Sequence, residues 1–94
     1  MSNIQKWKLI SDELLAAHAL LSPSIKQSDL GYRESDFLQY LSVNELGLAI
    51  DELDGVMEDN ISPGNQFWEH MIKAASLMSR VNKIEKYEQF KVAS

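Results

Sequence analysis

The sequence predicts an all-α fold, a small four-helix bundle in one domain, with a fifth helix among the readings open to its tail. Three observations carry this. Apolar residues recur at three- and four-residue steps along most of the 94 positions, the spacing of helices with one buried face. No run alternates convincingly at period two, as a half-buried strand would. Turn signals ("SPS" at 22–24, Gly31, "NISPG" at 60–64) fall between the helical stretches and not inside them.

The first helix is expected over 3–21, where Ile4, Trp7, Ile10, Leu14, Ala17 and Leu21 share a face and Ser2 with Gln5 fits a capping box. Ser22 precedes a proline, which pushes it out of the helical region. The connector "SIKQSDLGYRE" follows, with Ile25, Leu30 and Tyr32 available to pin it to the core. Ser35 is a good N-cap for a short second helix bearing Phe37, Leu38, Tyr40 and Leu41. Asn44 caps a third, in which Leu46, Ala49, Ile50, Leu53, Val56 and Met57 form one stripe. Ser62 with Pro63 at the first helical position, or Asn65, opens a fourth whose buried face is Phe67, Trp68, Met71, Ile72, Ala75 and Met78. After Asn82 the segment "KIEKYEQFKVAS" is basic and weakly periodic; it extends the fourth helix, forms a fifth, or frays. Residues 1–80 are thus expected as the core bundle and 81–94 as a basic C-terminal extension. Trp7, Trp68, Phe37, Phe67 and Tyr40 stand at core-facing spacings.

Composition excludes several classes. With 45% apolar residues the chain is an ordinary globule, and without cysteine it has no disulfide, thiol catalysis or cysteine-based zinc site. Ser11, Asp12 and Glu13 interrupt any apolar run behind Lys6 and Lys8, so neither a signal peptide nor a membrane span is expected. A cytoplasmic protein follows from that reading. The net charge of −5 is unevenly spread: +1 over residues 1–33, −9 over 34–72 and +3 over 73–94. A 39-residue stretch with nine acids and no Lys or Arg repels nucleic acid and anionic lipid, both of which are bound through cations. It attracts a cationic partner.

Motifs for chemistry are missing. Aligning Gly55 with the sixth position of a calcium-binding EF-hand loop puts Ile50 and Ile61 at the first and twelfth, where oxygen ligands are required. His18 and His70 stand alone, in no HxxxH or HExxH spacing, and read as polar edge residues. No serine sits in GxSxG, and the glycines at 31, 47, 55 and 64 are isolated. The chain is therefore expected to be no enzyme, with no metal and no cofactor.

What remains is "NELGLAIDELDGVMEDN", residues 44–60. Around the third helix the carboxylates of Glu45, Asp51, Glu52, Asp54, Glu58 and Asp59 fill the surface that its apolar stripe leaves, with Leu48 alone among them. The bland reading is a solvated outer face. Against it stand like-charge neighbours at i,i+3 and i,i+4 (Asp51/Asp54, Asp54/Glu58), acids at a helix C-terminus, and two glycines costing about 1 kcal/mol each. Clustered violations on one face suggest function, and an apolar residue rimmed by acids suits a protein interface. These seven residues form the candidate partner-binding surface.

"DFLQYLSVNELGLAIDELDGVMEDN" followed by "FWEHMIKAASLM", residues 36–78, resembles the small bacterial immunity proteins of the MafI type, and more loosely the CdiI type of contact-dependent growth inhibition. The resemblance implies an inhibitor that binds and neutralises a cognate toxin domain in the cytoplasm; separately, the chain is expected to be a monomer before binding. A carboxylate-studded helix would suit the basic cleft of a nuclease toxin. The alternative is a helical adaptor or regulatory subunit binding a basic peptide or protein.

Overall fold

The computed structural model describes residues 3–28 and 31–91. Five α-helices run in order: α1 Asn3–Ala19, α2 Glu34–Ser42, α3 Leu46–Asp54, α4 Asn65–Leu77 and α5 Val81–Phe90, with a 3-10 turn Gly55–Glu58 continuing α3. Among the described residues there is no strand. The all-α expectation holds, in a single globule with a radius of gyration of 12.5 Å, close to the roughly 12 Å of a folded chain this long.

Helix α1 packs on α4, α4 carries α5 on another side, and α2 pairs with α3. The core joins Ile10, Leu14 and Ala17 of α1 to Phe37, Ala49, Ile50, Leu53, Val56, Phe67, Trp68, Met71, Ala74 and Ala75. Tyr32 from the connector and Tyr87 from α5 complete it. Trp68 is the aromatic centre: Phe67 meets it edge-on at 4.7 Å between centroids, with Tyr87 at 5.3 Å and Phe90 at 4.8 Å. Its indole Nε1–H donates to Ser62 Oγ at 2.8 Å, so burying the ring strands no donor.

Of the three readings open to the tail, one is observed. Val81–Phe90 is a fifth helix, and Tyr87 within it is fully buried, so the core does not end at residue 80. Trp7 departs from its core-facing expectation. It lies 43% exposed and Ile4 73% exposed, because the inner face of α1 is carried by Ile10, Leu14 and Ala17.

Helix ends are set by backbone more than by the expected caps. Helix α2 starts from Arg33 and α3 from Glu45, neither with a side-chain cap, in place of Ser35 and Asn44. Asn44 instead ends α2. It takes φ 61°, and the bonds Asn44 N–H to Leu41 O and Glu45 N–H to Tyr40 O close a Schellman motif. Ser79, φ 57°, does the same for α4 through Ser79 N–H to Ser76 O and Arg80 N–H to Ala75 O. Ser62, expected to cap α4, serves Gly64 N–H and Trp68, while α4 begins at Asn65. The expected Ser2 cap and the Leu30 contact lie outside the described residues.

Candidate functional site

Most of the carboxylates around α3 are engaged within the fold and do not stand free in solvent. Asp54 is only 8% exposed. Its Oδ2 accepts a 2.6 Å bond from the Tyr87 hydroxyl and a 3.0 Å bond from Lys83 Nζ, with Lys86 Nζ at 3.8 Å. Lys83 also reaches Asp51 Oδ1 at 2.5 Å. The solvent-facing placement expected for Asp54 is therefore wrong. Asp54 does lie outside the apolar stripe, but α5 covers that flank of α3 and supplies the cations.

Electrostatics follow from this packing. Burial pushes the Tyr87 phenol up from its ordinary value, and the Asp54 charge beside it pushes further, so Tyr87 stays a hydrogen-bond donor. For Lys83, burial disfavours the ammonium, but hydrogen bonds to Asp51 and Asp54 outweigh it and the net shift is upward. The like charges of Asp51 and Asp54 are thus bridged by one lysine. A buried carboxylate is tolerable only when paired and hydrogen-bonded in this way.

The other end of the acidic segment binds the connector. Glu52 Oε2 accepts Arg33 N–H at 3.0 Å, and Asp59 Oδ2 accepts the Ser28 hydroxyl at 2.6 Å. Asn60 takes both backbone groups of Lys26, accepting from its N–H at 2.8 Å and donating to its C=O at 3.0 Å. Burial raises the Glu52 carboxyl above its usual range, against the lowering pull of Arg33 N–H.

Three of the seven predicted residues stay free. Glu45, Leu48 and Glu58 are exposed, Leu48 at 48%, and neither glutamate side chain has a partner among the described residues. Around Glu45 the structure gathers apolar surface that the sequence reading placed inside or left unassigned. Val43 is 57% exposed. Trp7 shares with Glu45, Leu46, Gly47 and Met78 the walls of a shallow depression of about 400 Å³.

The sequence reading missed Tyr87, Lys83 and Lys86 as partners of the acids, and Ser28 as the partner of Asp59. One signal pointed to the first three. The −9 segment is followed directly by a +3 segment, and opposite charges next to each other in a small chain tend to meet within it.

Among the described residues no three His, Asp or Glu side chains converge as a metal-binding set. No helix among them is long and apolar enough to cross a membrane. Compared with protein-family models, with curated proteins and with solved structures, the chain has no match.

Proposed function

We propose that this chain is a protein-binding inhibitor of the immunity type, a small helical bundle that holds and neutralises a toxin domain with a basic surface, a nuclease by preference. The observation that carries the reading is the surface at the start of α3. There Glu45 has no side-chain partner among the described residues, with exposed Val43 two residues before it, exposed Leu48 one turn on and half-exposed Trp7 in the same depression. Apolar anchors beside an unpaired charge are the anatomy of a binding patch. The net charge of −5 and the nine acids of residues 34–72 give it a long-range attraction for a cationic partner. Of the residues expected to make contact, Glu45, Leu48 and Glu58 remain the direct candidates; Asp51, Glu52 and Asp59 add charge at the rim, and Asp54 adds none directly.

The test is to find whether a toxin gene adjoins this one and, with the C-terminal domain of that toxin, to measure binding kinetics at two salt concentrations. Reversing Glu45 and Glu58 to Lys is expected to slow association and flatten its salt dependence. Leu48→Asp and Trp7→Ala are expected to speed dissociation, as lost anchors do. Association unchanged by the charge reversal, with full protection of toxin-expressing cells, would refute the surface. Binding without protection would favour an adaptor.

A further inference from the structure

A second site lies at the far end of α1 from Trp7. There the helix ends at Ala19, the chain turns through Ser22 and Pro23, and α2 begins at Glu34. His18, Leu21, Pro23, Ile25, Tyr32 and Glu34 line a cavity of about 420 Å³. Its apolar wall is Leu21, Pro23 and Ile25; its polar wall is knit together. His18 Nε2 meets Glu34 Oε2 at 3.0 Å while its ring stacks on Phe37 at 5.2 Å. Gln27 Oε1 accepts Glu34 N–H at 2.7 Å. The second Glu34 oxygen, Oε1, and the Gln27 amide nitrogen are left without bonds among the described residues.

One wall residue is anomalous. Tyr32 is 1% exposed, and among the described residues its hydroxyl is the buried side-chain polar atom with no hydrogen-bond partner. Buried hydroxyls in folded proteins almost always have one. Burial raises its pKa, and the next cause is the charge of Glu34, which places the phenol within the field of the same cavity. The field here is negative. No Lys or Arg lines the cavity, the Glu34 carboxyl group stands in its wall, and the C-terminal end of α1 adds the negative pole of its dipole.

We propose that this cavity binds an ammonium or guanidinium group carried on a short aliphatic stem. The stem lies against Leu21, Pro23 and Ile25. The cation donates to the free oxygen of Glu34, and a small turn of the buried Tyr32 side chain brings its hydroxyl within reach as a second acceptor. His18 holds Glu34 from the other side. The site is separate from the surface around Glu45 and does not depend on the toxin reading.

The test is an NMR titration of the full chain with n-butylguanidinium, with n-butanol as the neutral control. Saturable shifts at His18, Tyr32 and Glu34 are expected in the millimolar range, as for a ligand of this size, and none with butanol. Glu34→Gln is expected to weaken binding about tenfold, the loss of a charged hydrogen-bond acceptor. Tyr32→Phe is expected to weaken binding several-fold while leaving the melting temperature unchanged or higher, since it removes an unpaired buried hydroxyl. A blocked Gly-Ser-Arg-Gly-Ser peptide distinguishes the source. Binding equal to butylguanidinium assigns the cation to a protein side chain, and much weaker binding assigns it to a free small molecule. No saturation by either probe, or affinity unchanged in Glu34→Gln, would overturn the site. A chain that takes butylguanidinium but ignores the toxin domain keeps this site and loses only the immunity reading.

Discussion

Tyr87 donates a 2.6 Å hydrogen bond to Asp54 across 33 residues of sequence, and this buried contact joins α5 to α3. Lys83 completes it by bonding both Asp54 and Asp51. The three side chains should behave as one unit. Asp54→Ala is expected to cost about 3 kcal/mol, because it leaves a buried phenol and an ammonium unpaired. Tyr87→Phe is expected to cost about 1–2 kcal/mol. Urea denaturation of the double mutant should reveal a coupling of about 1 kcal/mol or more. Strictly additive losses would show that the contact is incidental.

Stability should fall on the alkaline side. Tyr87 and Tyr32 ionise above the ordinary tyrosine value of 10.0 when folded, and Lys83 loses its proton above the ordinary 10.5. In each case the folded chain keeps a proton that the unfolded chain gives up. Their stabilisation is therefore whole below about pH 10 and is lost as the pH climbs through the folded values. The urea midpoint, followed from pH 8 upward, should hold steady and then drop. Tyr87→Phe should drop less steeply; an identical slope in that variant would contradict the assignment.

Glu52 titrates with the same sign in a lower window. Its folded pKa lies above the ordinary 4.5, so its contribution is fully present below that value and is lost as the pH rises through the folded one. Ionised Glu52 thus weighs against the fold at neutral pH. Glu52→Gln keeps an oxygen for Arg33 N–H and should raise the neutral-pH melting temperature, with the gain vanishing on acidification below 4.5. A variant less stable at neutral pH would refute this.

Two glycines of the acidic segment should answer alanine oppositely. At Gly55 a Cβ would stand 3.0 Å from the backbone carbon and oxygen of Gly31, where neither chain can yield. Gly55→Ala is expected to destabilise by about 1–3 kcal/mol. At Gly47 the obstacle is the Arg80 guanidinium, the far end of an exposed and flexible side chain. Arg80 can swing aside, and Gly47→Ala should gain up to about 1 kcal/mol of helix propensity. Thermal melts of the pair decide it, and equal losses at both sites would contradict the difference between backbone and side-chain obstruction.

The all-α class and the apolar stripes of α3 and α4 were legible because helical spacing is a local property. Phe37, Ile50, Leu53, Phe67, Trp68 and Met71 are buried where their spacing put them. Trp7 misled because spacing identifies a face but not how far along a helix its neighbours reach. Asp54 misled for a related reason. A wheel shows which flank a residue occupies, and only tertiary packing reveals that α5, with its buried Tyr87 and paired Lys83, lies on that flank. Caps failed where Schellman turns at Asn44 and Ser79 set the boundaries. Those bonds run from backbone to backbone and leave little trace in residue type.

Lys26 lies exposed in the long stretch between α1 and α2 and looks like the natural place for trypsin to cut. A protease must draw the peptide into an extended strand and bond its main chain, yet Asn60 already occupies both the N–H and the C=O of Lys26. Cleavage after Lys26 therefore has to wait for Asn60 to let go. The rate of nicking there becomes a direct clock for that release, and Asn60→Ala should make the same bond a fast-cut site in a protein whose helices are still intact.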